Sequence, residues 1–213
     1  MYVPTTPQSA APLAPVEIAA TDPTIVTPAQ TELHVRGYQL NVLAGHRASV
    51  TGKLLDNHQP SSAGELVTLQ ALGNHGWKTL ASARTGANGR FRLNYVPHRL
   101  GSRWARLRFA GNATELPSHR RLGKLNVFRL AEASWYGGGG SLACGGSLTS
   151  ATMGVANKTL PCGTLITLRY DGRTVRVPVV DRGPYVEGRE FDLTEATKDA
   201  LGFGGVGEVW STS

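Results

Sequence analysis

The strongest constraint on this chain is that its apolar stretches are short, alternating and repeatedly cut by turn residues. Between residues 33 and 130 they run Leu40–Leu43, Ala48–Leu55, Leu66–Leu72, Trp77–Ala83, Phe91–Tyr95, Trp104–Phe109 and Leu125–Phe128. Between them lie Asp56-Asn57, Ser61-Ser62, Gly73-Asn74, Gly86-Ala-Asn-Gly89 and Gly111-Asn112. Alternation with a period of two builds half-buried strands, and seven strands at this spacing predict a β-sandwich. Asn88-Gly89 predicts a two-residue hairpin turn, because both positions accept positive φ. The 26 glycines favour turn-rich β structure over long helices.

Residues 131–213 change character. Strands are expected at Ala133–Tyr136, Thr164–Tyr170, Thr174–Val180 and Gly207–Trp210, with Asp171-Gly172 as the turn between the middle two. Thr194 is placed to cap a helix over Glu195–Leu201, with Gly202 as its stop. Met153–Lys158 is expected to form a further helical turn. A small closed barrel with one or two short helices fits this pattern. Residues 1–32, by contrast, are rich in Pro, Thr, Ala and Gln and read as an extended, largely polyproline linker. Within it, Ile18, Ile25 and Val26 could pair onto the edge of the next domain.

Charge divides along the same line. Residues 1–130 hold 15 Lys and Arg against 6 Asp and Glu, whereas residues 131–213 hold 7 against 9. The net charge of +7 therefore belongs to the first part, whose field attracts polyanions. The basic edge is expected between Arg99 and Arg129, where Glu115 is the one acid. Anionic wall polymers fit as partners. Nucleic acid is not expected, because the aromatic-with-basic motifs of known readers are missing. All six histidines lie in the first part, scattered, and read as surface residues. Cys144 and Cys162 cannot complete a four-ligand zinc site, so no metal or cofactor is expected. Flanked by glycines, they predict a disulfide and hence an oxidising compartment. No apolar run approaches the length of a membrane span. Met1-Tyr-Val-Pro lacks the features of an export signal, so the expectation is a mature form from which one was removed.

The candidate chemistry sits in Val177-Pro-Val-Val-Asp181-Arg-Gly-Pro-Tyr185 and in Asp192, eleven residues after Asp181. Two carboxylates near a Gly/Pro turn on a strand-rich scaffold suggest a carboxylate site, where a protonated acid could donate a proton and, once ionised, take one back. Such an acid must be protonated at working pH, which burial or the like charge of Asp192 would favour.

Five linked motifs carry a resemblance: Ala133-Ser-Trp-Tyr-Gly137, Ala156-Asn-Lys-Thr-Leu-Pro161, Gly163-Thr164, Asp181-Arg-Gly-Pro-Tyr185 and Gly188-Arg-Glu-Phe-Asp-Leu-Thr194. In order and spacing the chain resembles the RlpA family of envelope double-psi β-barrel proteins over residues 131–213. The framework Ala143-Cys-Gly145 with Pro161-Cys-Gly163 is similar to that of expansins, which share the fold. The Val-Thr-Leu-Gln, Gly-Trp-Lys-Thr-Leu and Asn-Gly-Arg-Phe patterns of residues 33–130 resemble the immunoglobulin-like modules of bacterial surface proteins. The implied architecture is all-β: a 1–32 linker, an immunoglobulin-like sandwich over 33–130, and a six-stranded double-psi barrel over 131–213.

The RlpA resemblance implies a secreted, wall-located lytic transglycosylase acting on peptidoglycan glycan strands. It assigns Asp181 as the acid/base, with Trp135 and Tyr136 beside the sugar groove, while Asp192 matches the acid that the expansin resemblance implies is required for wall loosening. Arg182, Tyr185 and Asn157 are the remaining expected sugar contacts. One departure matters. The family pattern has a histidine, considered catalytic, where this chain has Asn157. An amide can hold a hydroxyl or an N-acetyl group but cannot shuttle a proton. A non-catalytic, expansin-like module that binds and loosens wall polysaccharide is therefore the alternative.

Overall fold

The computed structural model describes residue 1 and residues 27–213. Most of the expected linker, including Ile18, Ile25 and Val26, lies outside the described residues. Where description resumes, the chain is already docked: Ala29 bridges to Glu115, and β1 (Thr31–Tyr38) starts inside the expected linker.

The first half is a two-sheet sandwich. One sheet pairs β1 with β3 (Ala48–Asp56), which also pairs with the short β4 (Gln59–Pro60) and with β7 (Arg90–Tyr95). The other runs β6 (Gly76–Arg84), β5 (Leu66–Gly73), β8 (Gly101–Phe109), β9 (Ser118–Tyr136), with β2 (Asn41–Leu43) parallel to β9. Alternation decides the faces. Val50 and Leu54, Leu69, Leu93, Leu107 and Leu125 point inward and are fully buried, each contributing about 1.5–3 kcal/mol over exposure. Asn88 and Gly89 do take positive φ, 60° and 64°. They do not close a hairpin, however. β6 pairs with β5 and β7 with β3, so this turn carries the chain from one sheet to the other.

The second half is a closed six-stranded barrel. Around it run the end of β9, β13 (Phe191–Thr194), β10 (Val155–Ala156), β12 (Arg173–Asp181), β11 (Leu165–Tyr170) and β14 (Gly207–Ser211), which returns to β9. Pairing is parallel between β9 and β13 and between β10 and β12, and antiparallel elsewhere. Phe191, Leu193, Ile166, Leu168, Leu201 and Val209 fill the interior. Asp171 and Gly172, with φ of 41° and 79°, form the expected turn between β11 and β12. Helix α1 (Glu195–Leu201) also forms as expected and stops at Gly202 in the left-handed conformation.

Two expectations are corrected. Met153–Lys158 is not a helical turn: Val155 and Ala156 form β10, because β12 and β13 flank them on both sides. Thr194 occupies the N-cap position but does not cap. Its hydroxyl and that of Thr197 bond the backbone N–H and carbonyl of Gly154 instead. That knot is fully buried, and a Cβ at Gly154 would meet Val180 Cγ2 at 2.4 Å.

Strand β9 belongs to both halves. Its residues 118–127 pair with β8, and its residues 129–136 pair with β14 and β13. The two cores divide at Phe128, whose ring packs 5.7 Å from Trp210 of β14. The Arg129 guanidinium bonds the Glu190 carboxylate, and Ser102 on β8 hydrogen-bonds Thr167 on β11 at 2.8 Å.

Candidate active site

A β-bulge sets the site. β10 and β12 pair Val155 with Val179, then Ala156 with Asp181, so two steps on β12 match one on β10. Bulges re-aim side chains in this way. Ala156 pairs in turn with Asp192, and Asp192 with Ser134. Asp181, Ala156, Asp192 and Ser134 thus form one line across four strands, with the small Ala156 between the two acids. Two strand spacings separate the acids' backbones, roughly 10 Å.

Asp181 is half-buried at the end of β12. Its Oδ1 accepts N–H bonds from Ala143 at 2.9 Å and Arg182 at 2.8 Å. Oδ2 makes no hydrogen bond of ordinary geometry among the described residues. The Ala143 donor lies on a loop held by the Cys144–Cys162 disulfide, which forms as expected. Cys144 N–H bonds Val180 O at 3.2 Å and Gly163 N–H bonds Val179 O at 2.8 Å, so both half-cystines are pinned to β12 just before Asp181.

Asp192 accepts a short hydrogen bond from Ser134, whose hydroxyl also takes Arg189 Nη1 at 3.4 Å. Tyr136 stands near both acids. Its buried hydroxyl makes no hydrogen bond of ordinary geometry. Burial first, then the negative charge of the adjacent Asp181, a loose hydrogen-bond contact with that carboxylate and the charge of the more distant Asp192 hold its pKa well above the usual phenol value. The hydroxyl therefore stays protonated beside the Asp181 carboxylate.

The other expected site residues separate. Trp135 is 41% exposed and lies against α1, with Lys198 Nζ 4.4 Å from its ring centroid. Tyr185 projects from the turn after Asp181 at 82% exposure. Asn157 and Arg182, expected as sugar contacts, are engaged by the protein's own backbone. The Asn157 Oδ1 accepts the N–H groups of Thr159 at 3.1 Å and Leu160 at 2.9 Å, while its Nδ2 donates to Glu190 O. Arg182 donates to the carbonyls of Asn157 and Leu160 and to Cys162 Sγ. Both side chains shape the 157–162 loop. Neither Arg182 nor Arg189 forms a salt bridge with Asp181 among the described residues.

Sequence reasoning missed Ser134, the Ala143 N–H and the Gly154–Thr194–Thr197 knot. Ser134 sits within the Ala-Ser-Trp-Tyr motif, so its position was readable. Its partner Asp192 emerges only once β9 and β13 lie side by side. Among the described residues no cluster of His, Cys, Asp and Glu is arranged to hold a metal ion. No helix there is long and apolar enough to cross a membrane.

Residues 130–210 match a family model described as "Lytic transglycolase". Two relatives are similar to this chain, both named "Probable endolytic peptidoglycan transglycosylase RlpA". The one from Aquifex aeolicus is 45% identical over 75 residues, 33% of each chain. The one from Synechocystis is 34% identical over 110 residues, 44% of this chain and 34% of the relative. The chain thus spans about a third of the length of the curated relatives it matches. Among solved structures, the Streptomyces papain inhibitor is 27% identical with a TM-score of 0.34, covering 40% of this chain and 92% of the inhibitor. A C-terminal fragment of intimin is 13% identical with a TM-score of 0.33, covering 74% and 61%. Both scores are too low to argue a shared fold. The five sequence motifs, the closed barrel they build and the match over residues 130–210 agree: these residues form an RlpA-like double-psi β-barrel domain.

Proposed function

We propose that the barrel cleaves peptidoglycan glycan strands without water, using Asp181 as acid and then base, in a protein exported to the cell wall. The observation that carries this reading is the asymmetry of Asp181. One oxygen is pinned by two backbone N–H groups, the other accepts from none, and the protonated Tyr136 hydroxyl stands beside the carboxylate. Protonated Asp181 gives its proton to the glycosidic oxygen as the C1–O bond breaks. A hydroxyl of the same sugar attacks C1, and its proton passes to the Asp181 carboxylate. The acid is restored and the product carries an anhydro ring. The Tyr136 hydroxyl is suited to hold the Asp181 carboxylate in place, and Asp192 with Ser134 to accept from hydroxyls of the bound sugar. The names of the relatives support peptidoglycan as substrate and the envelope as location. The sandwich, taken as an immunoglobulin-like module over about residues 33–130, holds the enzyme near anionic wall polymers through its positive charge.

A second reading is favoured by Asn157, whose amide oxygen is saturated by backbone donors and cannot replace a histidine in proton transfer. On this reading the barrel binds and loosens wall glycan without cutting it. Purified glycan strands incubated with the protein separate the two. Anhydro-sugar products that disappear in Asp181→Asn support cleavage. Retained co-sedimentation with walls and no product at all supports binding alone.

A further inference from the structure

Between Glu65 and Glu115 the chain contains no acidic residue. Strands β5, β6 and β8 fall largely within that interval, and with β9 they make one sheet. Its outer face is ordered in rows. Trp77 pairs with Leu72, Ala71 pairs with Ala105, and Trp104 pairs with Lys124. Trp77, Leu72, Trp104 and Lys124 therefore form one row across four strands. Thr79, Gln70, Arg106 and Arg121 form the next row. Hydrogen bonds tie that second row: Gln70 Nε2 donates to Thr79 Oγ1, and Arg106 Nε donates to Gln70 Oε1 at 2.9 Å.

Two features of this face are unfavourable for folding alone. Trp104 is 52% exposed and Leu72 37%, in the middle of a sheet face. Arg106 and Arg121 stand directly opposite each other, and like charges in register destabilise a sheet. No acidic residue in either row offsets them. Each tryptophan already keeps a cation beside it, Arg106 at 4.2 Å from the Trp77 ring and Lys124 at 5.5 Å from the Trp104 ring. Trp77, Trp104, Leu72 and Arg121 enclose a depression of about 300 Å³, a size at the lower bound of small-molecule sites.

We propose that this face is a binding platform for an anionic glycan. A pyranose ring lies between Trp77 and Trp104 over Leu72, and its acidic substituent meets Arg106 and Arg121. The apolar row supplies the flat contact that a sugar face needs, and the cationic row supplies the charge that a neutral glycan would leave unmatched. Ser102, two residues before Trp104 on the same face, bonds Thr167 of the barrel, so the platform borders the second domain. It deepens the retention role just proposed for the sandwich, and it rests on the sandwich alone rather than on barrel chemistry. The sequence concealed it because its two tryptophans lie 27 residues apart and only the sheet register aligns them.

The test is titration of the full chain, followed by tryptophan fluorescence and calorimetry, with three probes. These are oligogalacturonate as acidic glycan, chitohexaose as neutral glycan, and a single-stranded thymidine oligonucleotide. Oligogalacturonate is expected to bind at least about tenfold more tightly than either other probe, and Trp104→Ala and Arg121→Ala are each expected to weaken it about tenfold. Trp104→Phe keeps a flat ring and most of the affinity, which preserves the test if the alanine variant folds poorly. Asp181→Asn leaves this binding unchanged. Wild-type affinity in both Trp104→Ala and Arg121→Ala would overturn the proposal. So would equal or tighter binding of chitohexaose or of the oligonucleotide that Trp104→Ala weakens, which places that probe on the platform rather than on the barrel. Oligogalacturonate binding that survives while isolated walls are not retained supports the platform and removes only the retention role.

Discussion

The sandwich and the barrel use the same material, short strands with a buried apolar face, toward opposite ends. In the sandwich, charged side chains are left over on the outer faces, and most of them are basic. In the barrel, polar side chains are drawn inward to backbone groups. Asn157, Arg182, Thr194 and Thr197 all spend their hydrogen bonds on the main chain around Asp181. Unmatched charge on one unit and saturated polar groups on the other fit a division of labour. One surface waits for a partner, while the other holds a single carboxylate still.

The largest test of that contrast is chemical. Asp181→Asn should lower anhydro-product formation by about 10²–10⁴-fold while leaving thermal stability nearly unchanged, since an amide oxygen can still accept from Ala143 and Arg182. Unchanged turnover would remove Asp181 from the reaction. Next is cooperativity. Phe191→Ala should cost about 3–5 kcal/mol and, because β9 is shared, lower one common calorimetric transition. Two separate transitions would mean that the units fold independently. Reducing Cys144–Cys162 should cost ~3 kcal/mol in the chain-entropy model and lower cleavage more than it lowers oligogalacturonate binding.

Two smaller effects sharpen the comparison. Asn157→Ala frees two backbone N–H groups and should destabilise by about 1–3 kcal/mol, with the rate per folded molecule preserved. A rate loss in the folded variant would make Asn157 a sugar contact as well as a loop anchor. Arg129→Ala removes a half-exposed ion pair at the junction and should cost no more than about 1 kcal/mol, less at high salt. A larger, salt-insensitive loss would show that the junction is more than a surface contact.

Legibility in the sequence followed how local each signal is. Helix α1 was readable because its N-terminal acid and its stop at Gly202 lie within nine residues. The Asp171-Gly172 hairpin was readable for the same reason. Strand β10 was not, because two residues carry no period and its pairing comes from β12 and β13. Asn88-Gly89 divides the two cases: the backbone conformation was legible, but which sheet would receive the next strand was not. At the site, the motifs marked Asp181 and Asp192, whereas the backbone groups that engage Asn157 and Arg182 are marked by no residue pattern.

Strand β9 turns this arrangement into a ruler. Lys124, in the platform row, and Ser134, in the line of the two acids, lie on the same uninterrupted strand ten residues apart. An extended chain spans at most roughly 33 Å over that interval. A glycan gripped at the platform would meet the acid at a set distance from the grip, so its fragments would have a minimum length. A flexible tether would scatter the cuts; a shared strand gives them a spacing.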